Sequence, residues 1–197
     1  AGHRRDDVLV GAPLFMARQP DGQHSEVGRL YLYLRGGART FTQPPQTLTG
    51  THPYGRFAAA IASLGDQDKD GWGCTQWVFK SPVSPDVAVG APFGGDGGSG
   101  QVFIFRGQSE GLMPVPTQRL DSPFAGPAAF GFALRGATDL DGNGYADLLV
   151  GAYGVAKVAV YQGQPVVVAR TQLSVPDRLN PNILACVLPG SGARVSW

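Results

Sequence analysis

Cysteine, histidine and long apolar runs are all scarce in this chain, and each scarcity narrows what it can be. The two cysteines, Cys74 and Cys186, are too few and too isolated for a disulfide framework, and free thiols are the plain reading. They leave the compartment open. The three histidines, His3, His24 and His52, stand at no spacing that would assemble a metal site with Cys or Glu. No acyl-transfer or acid–base constellation stands out, and Gly190-Ser-Gly192 is a weak nucleophile signal with no histidine near it. The reading is therefore not an enzyme. Sixteen basic against fifteen acidic residues leave a net charge of +1, so nothing electrostatic favours nucleic acid or a membrane surface. No apolar run approaches the ~20 residues a membrane span needs. No leader-like segment opens the chain, and there is no N-x-[ST] acceptor at Asn143, Asn180 or Asn182.

What the chain has in quantity is glycine (29) and proline (16), placed at turns between short apolar segments. That pattern is turn-rich β-structure, not disorder. The most informative stretch runs from Asp139 to Tyr153, D-L-D-G-N-G-Y-A-D-L-L-V-G-A-Y. Asp139, Asp141, Asn143, Tyr145 and Asp147 fall on alternate positions. Four offer side-chain oxygens and Tyr145 its backbone carbonyl, which is the oxygen-rich set that Ca²⁺ takes at about 2.3–2.6 Å. Gly142 and Gly144 permit the tight turn. An EF-hand is excluded because the twelfth position is Val150 where a bidentate Glu belongs, and because Leu-Leu-Val-Gly-Ala reads as a strand and not a helix. The alternative is an Asx-rich turn with no metal.

The end of this stretch recurs. Val10-Gly-Ala-Pro13, Val89-Gly-Ala-Pro92 and Val150-Gly-Ala-Tyr153 are three copies, each preceded by an aspartate: Asp7, Asp86 and Asp147. Each is followed by an alternating segment, at 29–34, 101–105 and 157–161. Aromatic-glycine pairs at Tyr54-Gly55 and Phe130-Gly131 open the later units. About 60 residues separate Asp86 from Asp147 and about 80 separate Asp7 from Asp86. Short strands repeating at this period predict propeller blades.

Aromatic-Gly, a D-x-D-x-[DN]-G-x-x-D turn and Gly-Ala-Pro together resemble the FG-GAP repeat of integrin α subunits. The resemblance covers nearly all of the chain except residues 73–85 and the last few. It implies an all-β chain: a partial β-propeller of about three blades over residues 1–163, with blade ends near 50 and 125, followed at 164–197 by the incomplete start of an immunoglobulin-like thigh sandwich. It implies the extracellular part of a cell-surface type I membrane protein acting in cell adhesion. The implied partners are an integrin β subunit and fibrinogen-like or extracellular-matrix ligands, contacted largely through blades outside this chain. By the same resemblance the calcium turns would brace the propeller's underside and do no chemistry. Cys186, in Ile183–Leu188, would in that family pair with a cysteine further along. The alternative is an FG-GAP propeller attached to an extracellular enzyme such as a glycosyl-phosphatidylinositol-specific phospholipase D. A lectin-like module would need a sugar site that the sequence does not display.

The other two turns depart from the pattern. In the first, Asp7 is the ninth position, and Ala1, His3 and Arg5 stand where oxygen ligands belong, so no metal is expected there; the chain reads as a fragment with an altered or truncated start. In the second, Asp66, Asp68, Asp70 and Trp72 are in place, but Cys74 takes the ninth position and the matching aspartate, Asp86, comes twelve residues late. Residues 73–85 contain an insertion foreign to the pattern, with retained intron sequence or a gene-model error favoured over a genuine surface loop. Lengthening the turn costs about 0.8 kcal/mol of closure entropy. An ion at ten times its dissociation constant contributes about 1.4 kcal/mol. A weakened second site is expected. Gly95 to Gly100 matches G-x-G-x-x-G, but the strand Gln101–Phe105 follows it where a dinucleotide site needs a helix. Ala17–Val27 is expected to be a polar loop, Gly36–Pro45 a second loop and Gln46–Thr49 an outer strand. Val166–Val168 and Gln172–Val175 are expected to open the second domain. The tail from Gly190 to Trp197 is expected to lack regular structure. A three-blade piece leaves sheet faces uncovered, which predicts poor solubility or instability of the isolated chain.

Overall fold

A computed structural model describes residues 7–20, 22–35, 41, 44–65, 85–108 and 110–164, with the backbone of two short strands at 186–187 and 194–195. The chain divides into two units, Ala1–Val166 and Val167–Trp197. The first is all β in its described part apart from two single 3-10 turns, Asp96–Gly98 and Tyr153–Val155.

Strands β1 (Val8–Ala12), β2 (Met16–Arg18), β3 (His24–Glu26), β4 (Arg29–Tyr33) and β5 (Gln46–Thr49) build the first region. An antiparallel sheet runs β1-β4-β5, and β2 and β3 form a separate hairpin. The stretch 17–27, expected as an open loop, therefore contains most of a hairpin. Its strands are three residues each, too short and too polar to show an apolar alternation. The second region has β6 (Ala60–Gly65), β7 (Asp86–Ala91), β8 (Gln101–Phe105), β9 (Gly107–Gln108), β10 (Gly111–Leu112) and β11 (Gln118–Asp121). Its main sheet is four-stranded in the order β6-β7-β8-β11, with β9 and β10 paired beside it. The third sheet is β12 (Phe130–Thr138), β13 (Asp147–Ala152) and β14 (Lys157–Tyr161), all antiparallel. Each sheet is an up-and-down meander, the form of a propeller blade.

The period-2 pattern sorts side chains between neighbouring sheets. On β7, Val87, Val89 and Ala91 join Leu30, Leu32, Leu48, Phe57 and Phe105 in one core. Ala88, which points the other way, joins Leu64, Val102, Phe130, Leu148 and Val150 in a second. The second sheet is thus packed on both faces, which is why β7 is apolar at successive positions. Phe57 and Phe130 anchor the two cores; Phe57 meets Phe103 edge-on at 5.8 Å and Phe130 meets Tyr161 at 6.3 Å.

The glycine of the repeated Val-Gly-Ala segment has a packing reason. A Cβ at Gly90 would collide with the Gly131 carbonyl oxygen, and one at Gly11 with that of Ala58. Ala58 and Gly131 are therefore equivalent, so the residue that opens the second unit is Phe57 and not Tyr54. The backbone agrees: Phe57 N–H donates to Val27 O as Phe130 N–H donates to Ser99 O. Tyr54 is 64% exposed whereas Phe57 is 4% exposed. Alanine at 58 takes φ 67°, close to the 88° of Gly131, and so hides the motif.

In the second unit, Cys186–Val187 (β15) pairs antiparallel with Arg194–Val195 (β16). The tail is thus not devoid of regular structure: it supplies the partner that two extended residues at 186–187 need for their ladder bonds. This ladder alone does not establish an immunoglobulin-like sandwich. The expected strands at 166–168 and 172–175, and the insertion at 73–84, lie outside the described residues.

Candidate metal centre

The acidic turn between β12 and β13 is built by short side-chain-to-backbone bonds. Asp139 Oδ1 accepts from Gly142 N–H and Oδ2 from Gly144 N–H, both at 2.7 Å. Asp141 Oδ1 accepts from Asn143 N–H at 3.1 Å, and Asn143 Oδ1 from Tyr145 N–H at 2.8 Å. These are Asx-type turns, each oxygen holding the backbone two to five residues on. Gly142 and Gly144 take φ of 77° and 86°, which lets the chain wrap around the aspartate.

Asp147 closes the turn from beneath. It is 0% exposed, at the first residue of β13. Its Oδ2 accepts from Leu140 N–H at 2.7 Å and its Oδ1 from Gly163 N–H at 2.9 Å. A buried carboxylate needs such partners. One oxygen each from Asp139, Asp141 and Asp147 lie within 4.8 Å of one another. Two oxygens on one Ca²⁺ at about 2.3–2.6 Å can stand up to about 5 Å apart, so the three can share an ion. Every one of these oxygens retains a second lone pair. The donor set is hard and anionic and fits a divalent cation. The Gly144 N–H first, and then Gly142, hold the Asp139 carboxyl below the usual carboxylate range, so it is ionised and ready to coordinate.

The structure places the remaining expected ligands as follows. Asn143 is exposed at the rim and Tyr145 is half-buried on the same turn. Of the second turn's expected ligands only Asp86 is described; Asp66, Asp68, Asp70 and Trp72 lie outside the described residues. The turn before β7 is therefore seen only at its last position.

One feature of all three units escaped the sequence reading. Asp7 Oδ1 accepts from Arg35 N–H at 2.8 Å, Asp86 Oδ1 from Gly107 N–H at 2.9 Å, and Asp147 Oδ1 from Gly163 N–H at 2.9 Å. Each donor lies two residues beyond the end of the later strand paired with the Val-Gly-Ala strand, β4, β8 or β14. The aspartate before each Val-Gly-Ala segment ties the start of one strand to the exit of the next. The signal was in the sequence, in Asp7: it persists in a turn whose other ligand positions are Ala1, His3 and Arg5.

Comparison with known proteins agrees with this architecture. Residues 130–168, the third sheet and its acidic turn, match the FG-GAP repeat family. Integrin alpha-IIb of Mus musculus and of Homo sapiens are each 53% identical over 196 residues, which is 99% of this chain and 18% of theirs. Integrin alpha-5 of Xenopus laevis is 47% identical over 97% of the chain and 17% of its own length. The chain thus spans less than a fifth of the relatives it matches. These relatives are integrin alpha chains, and they lend no support to the enzyme-attached alternative. No described helix is long and apolar enough to cross a membrane. Along nearly its whole length, then, the chain is similar to integrin alpha chains, and residues 130–168 carry an FG-GAP repeat.

Proposed function

We propose that this chain is part of the extracellular head of an integrin α subunit, acting in cell adhesion within an α/β heterodimer at the plasma membrane. Residues 1–163 are read as the last three blades of a seven-bladed propeller and 164–197 as the start of the thigh domain. Its partners are an integrin β subunit and fibrinogen-like or extracellular-matrix proteins, engaged by the complete head. The observation that carries this reading is similarity to integrin alpha chains sustained over 99% of the chain. The full transcript tests it. A downstream membrane span with a short cytoplasmic tail, and co-purification of the full-length product with a β subunit, are expected. A histidine-rich metal domain upstream would overturn it.

Within that head the acidic turns are structural Ca²⁺ sites. Asp139, Asp141, Asn143, the Tyr145 carbonyl and Asp147 hold the ion of the third unit. Asp66, Asp68, Asp70, Trp72 and Asp86 make a weaker second site. When bound, the cation neutralises carboxylates that otherwise repel one another and draws the turn closed. The side chains supply coordination and position, and no bond is made or broken. Calorimetric titration of the chain with calcium is expected to resolve one tighter and one weaker site, with Asp139→Ala removing the tighter. Equal affinities would contradict the assignment of the second site as weakened.

A further inference from the structure

Asn143 does more than face the centre of its turn. Its side-chain amide is planar, with oxygen and nitrogen on opposite arms. Oδ1 faces the turn and accepts from Tyr145 N–H. Nδ2 carries two hydrogens. One is donated to Asp141 Oδ2 at 3.2 Å and the other to the Gly163 carbonyl at 2.9 Å. Gly163 is the same residue whose N–H is held by Asp147 Oδ1 at 2.9 Å. Two residues of the acidic turn, 16 and 20 positions upstream, therefore hold opposite sides of one residue just past β14.

We propose that the Asp139–Asp147 turn is a cation-set clamp on Gly163, fixing the point where the chain leaves the third sheet. The proposal rests on the reading of this turn as a calcium site. Asp7, Asp86 and Asp147 each make the same grip on an N–H, so that half is a general latch that does not need the other ligands of its turn. The grip on the carbonyl depends on Asn143 and, among the described residues, is made at this turn; the matching residue of the second turn is Asp70, which has no amide hydrogen to donate. Without a cation, three carboxylates converge within 4.8 Å and repel one another, which loosens the turn and the exposed Asn143 with it. With a cation on Asn143 Oδ1, the amide plane is fixed and Nδ2 stays aimed at the Gly163 carbonyl. Occupancy of the turn is thus read out two residues beyond Tyr161, at a backbone position remote in sequence from every ligand.

The test is backbone amide exchange, followed by NMR on the 197-residue chain with calcium and with chelator. Calcium is expected to slow exchange at Gly142 and Gly144, and at Gly163 by about fivefold or more, because freeing its N–H from Asp147 then also requires breaking the bond at its carbonyl, about the net worth of one hydrogen bond. Asn143→Asp keeps an oxygen for the ion and loses only the donor. With each protein compared at saturating calcium, the variant is expected to keep the slowing at Gly142 and Gly144 while the effect at Gly163 falls to less than about twofold. Asn143 is exposed, so this variant leaves the core untouched. An unchanged calcium effect at Gly163 in Asn143→Asp would overturn the clamp while leaving the cation site intact. A turn in which Gly142 and Gly144 ignore calcium would overturn the site and the clamp together.

Discussion

The second and third sheets carry the same Val-Gly-Ala strand, yet they are held in place by different means. Gly90 in the second is pressed against the Gly131 carbonyl of the next sheet. Gly151 in the third meets only Ala133 of its own sheet, at 3.3 Å from where a Cβ would sit. The second sheet has an apolar core on both faces. Among the described residues the third has one, and on it Val158, Val160, Phe132 and Tyr153 are exposed, with Tyr153 at 78%. The aspartates differ in the opposite sense. Asp86 is half-buried, whereas Asp147 is fully buried and takes N–H bonds from both Leu140 and Gly163. A blade between two neighbours is positioned by contact across its faces. A blade with one open face relies more on the polar turn at its end. The open face also carries the expectation of poor solubility, since an apolar surface of this kind promotes association.

That contrast is broken most forcefully at the aspartates. Asp147→Ala removes the buried acceptor of two part-buried backbone N–H groups, each left unpaired at about 1–3 kcal/mol, so a loss of about 2–6 kcal/mol is expected. Asp86→Ala, at a half-buried site that water can reach, is expected to cost about 1 kcal/mol. Urea midpoints measured in chelator separate these costs from any contribution of a bound ion. Equal losses for the two variants would mean that burial of the turn does not govern how the third sheet is held.

The glycines give the complementary experiment, of smaller size. Gly90→Ala forces a methyl against a backbone carbonyl that cannot move without shifting the third sheet. Overpacking of this kind is expected to cost about 1–3 kcal/mol. Gly151→Ala meets a side-chain methyl at the edge of ordinary contact and is expected to stay within about 0.5 kcal/mol. Comparable losses at both positions would show that the glycine serves the strand's own conformation and not the packing between sheets.

Much of this architecture is legible in the sequence, and the parts that are not have identifiable causes. Alternation in Arg29–Tyr33, Gln101–Phe105 and Lys157–Tyr161 reveals the strands, because one face of each is apolar. The turn Asp139–Asp147 is legible because its ligands are side chains at fixed spacing. The partners of the aspartate latch are not, because Arg35, Gly107 and Gly163 contribute only a backbone N–H, which every residue but proline possesses. The hairpin at 16–26 is concealed by polar strands three residues long. The opening of the second unit is displaced in the sequence reading, to Tyr54-Gly55, because an aromatic-glycine pair stands three residues before the phenylalanine that enters the core. The true pair carries alanine in place of glycine.

That alanine yields the smallest and sharpest prediction. Ala58 adopts φ 67°, where a side chain costs roughly 1–2 kcal/mol relative to glycine. Ala58→Gly relieves this strain. It also removes a buried methyl, worth about 0.8 kcal/mol, from the core around Phe57. It further loosens the unfolded chain, which costs about 0.4–1 kcal/mol. The terms nearly cancel, and the net change is expected to lie within about 0.5 kcal/mol on the same urea scale. A gain above about 1 kcal/mol would mean that strain dominates and that glycine is the better residue at both sheet openings. A loss of that size would mean that the Ala58 methyl packs more tightly between the first two sheets than its equivalent position does between the second and third, which would make the first contact the closer fitted of the two.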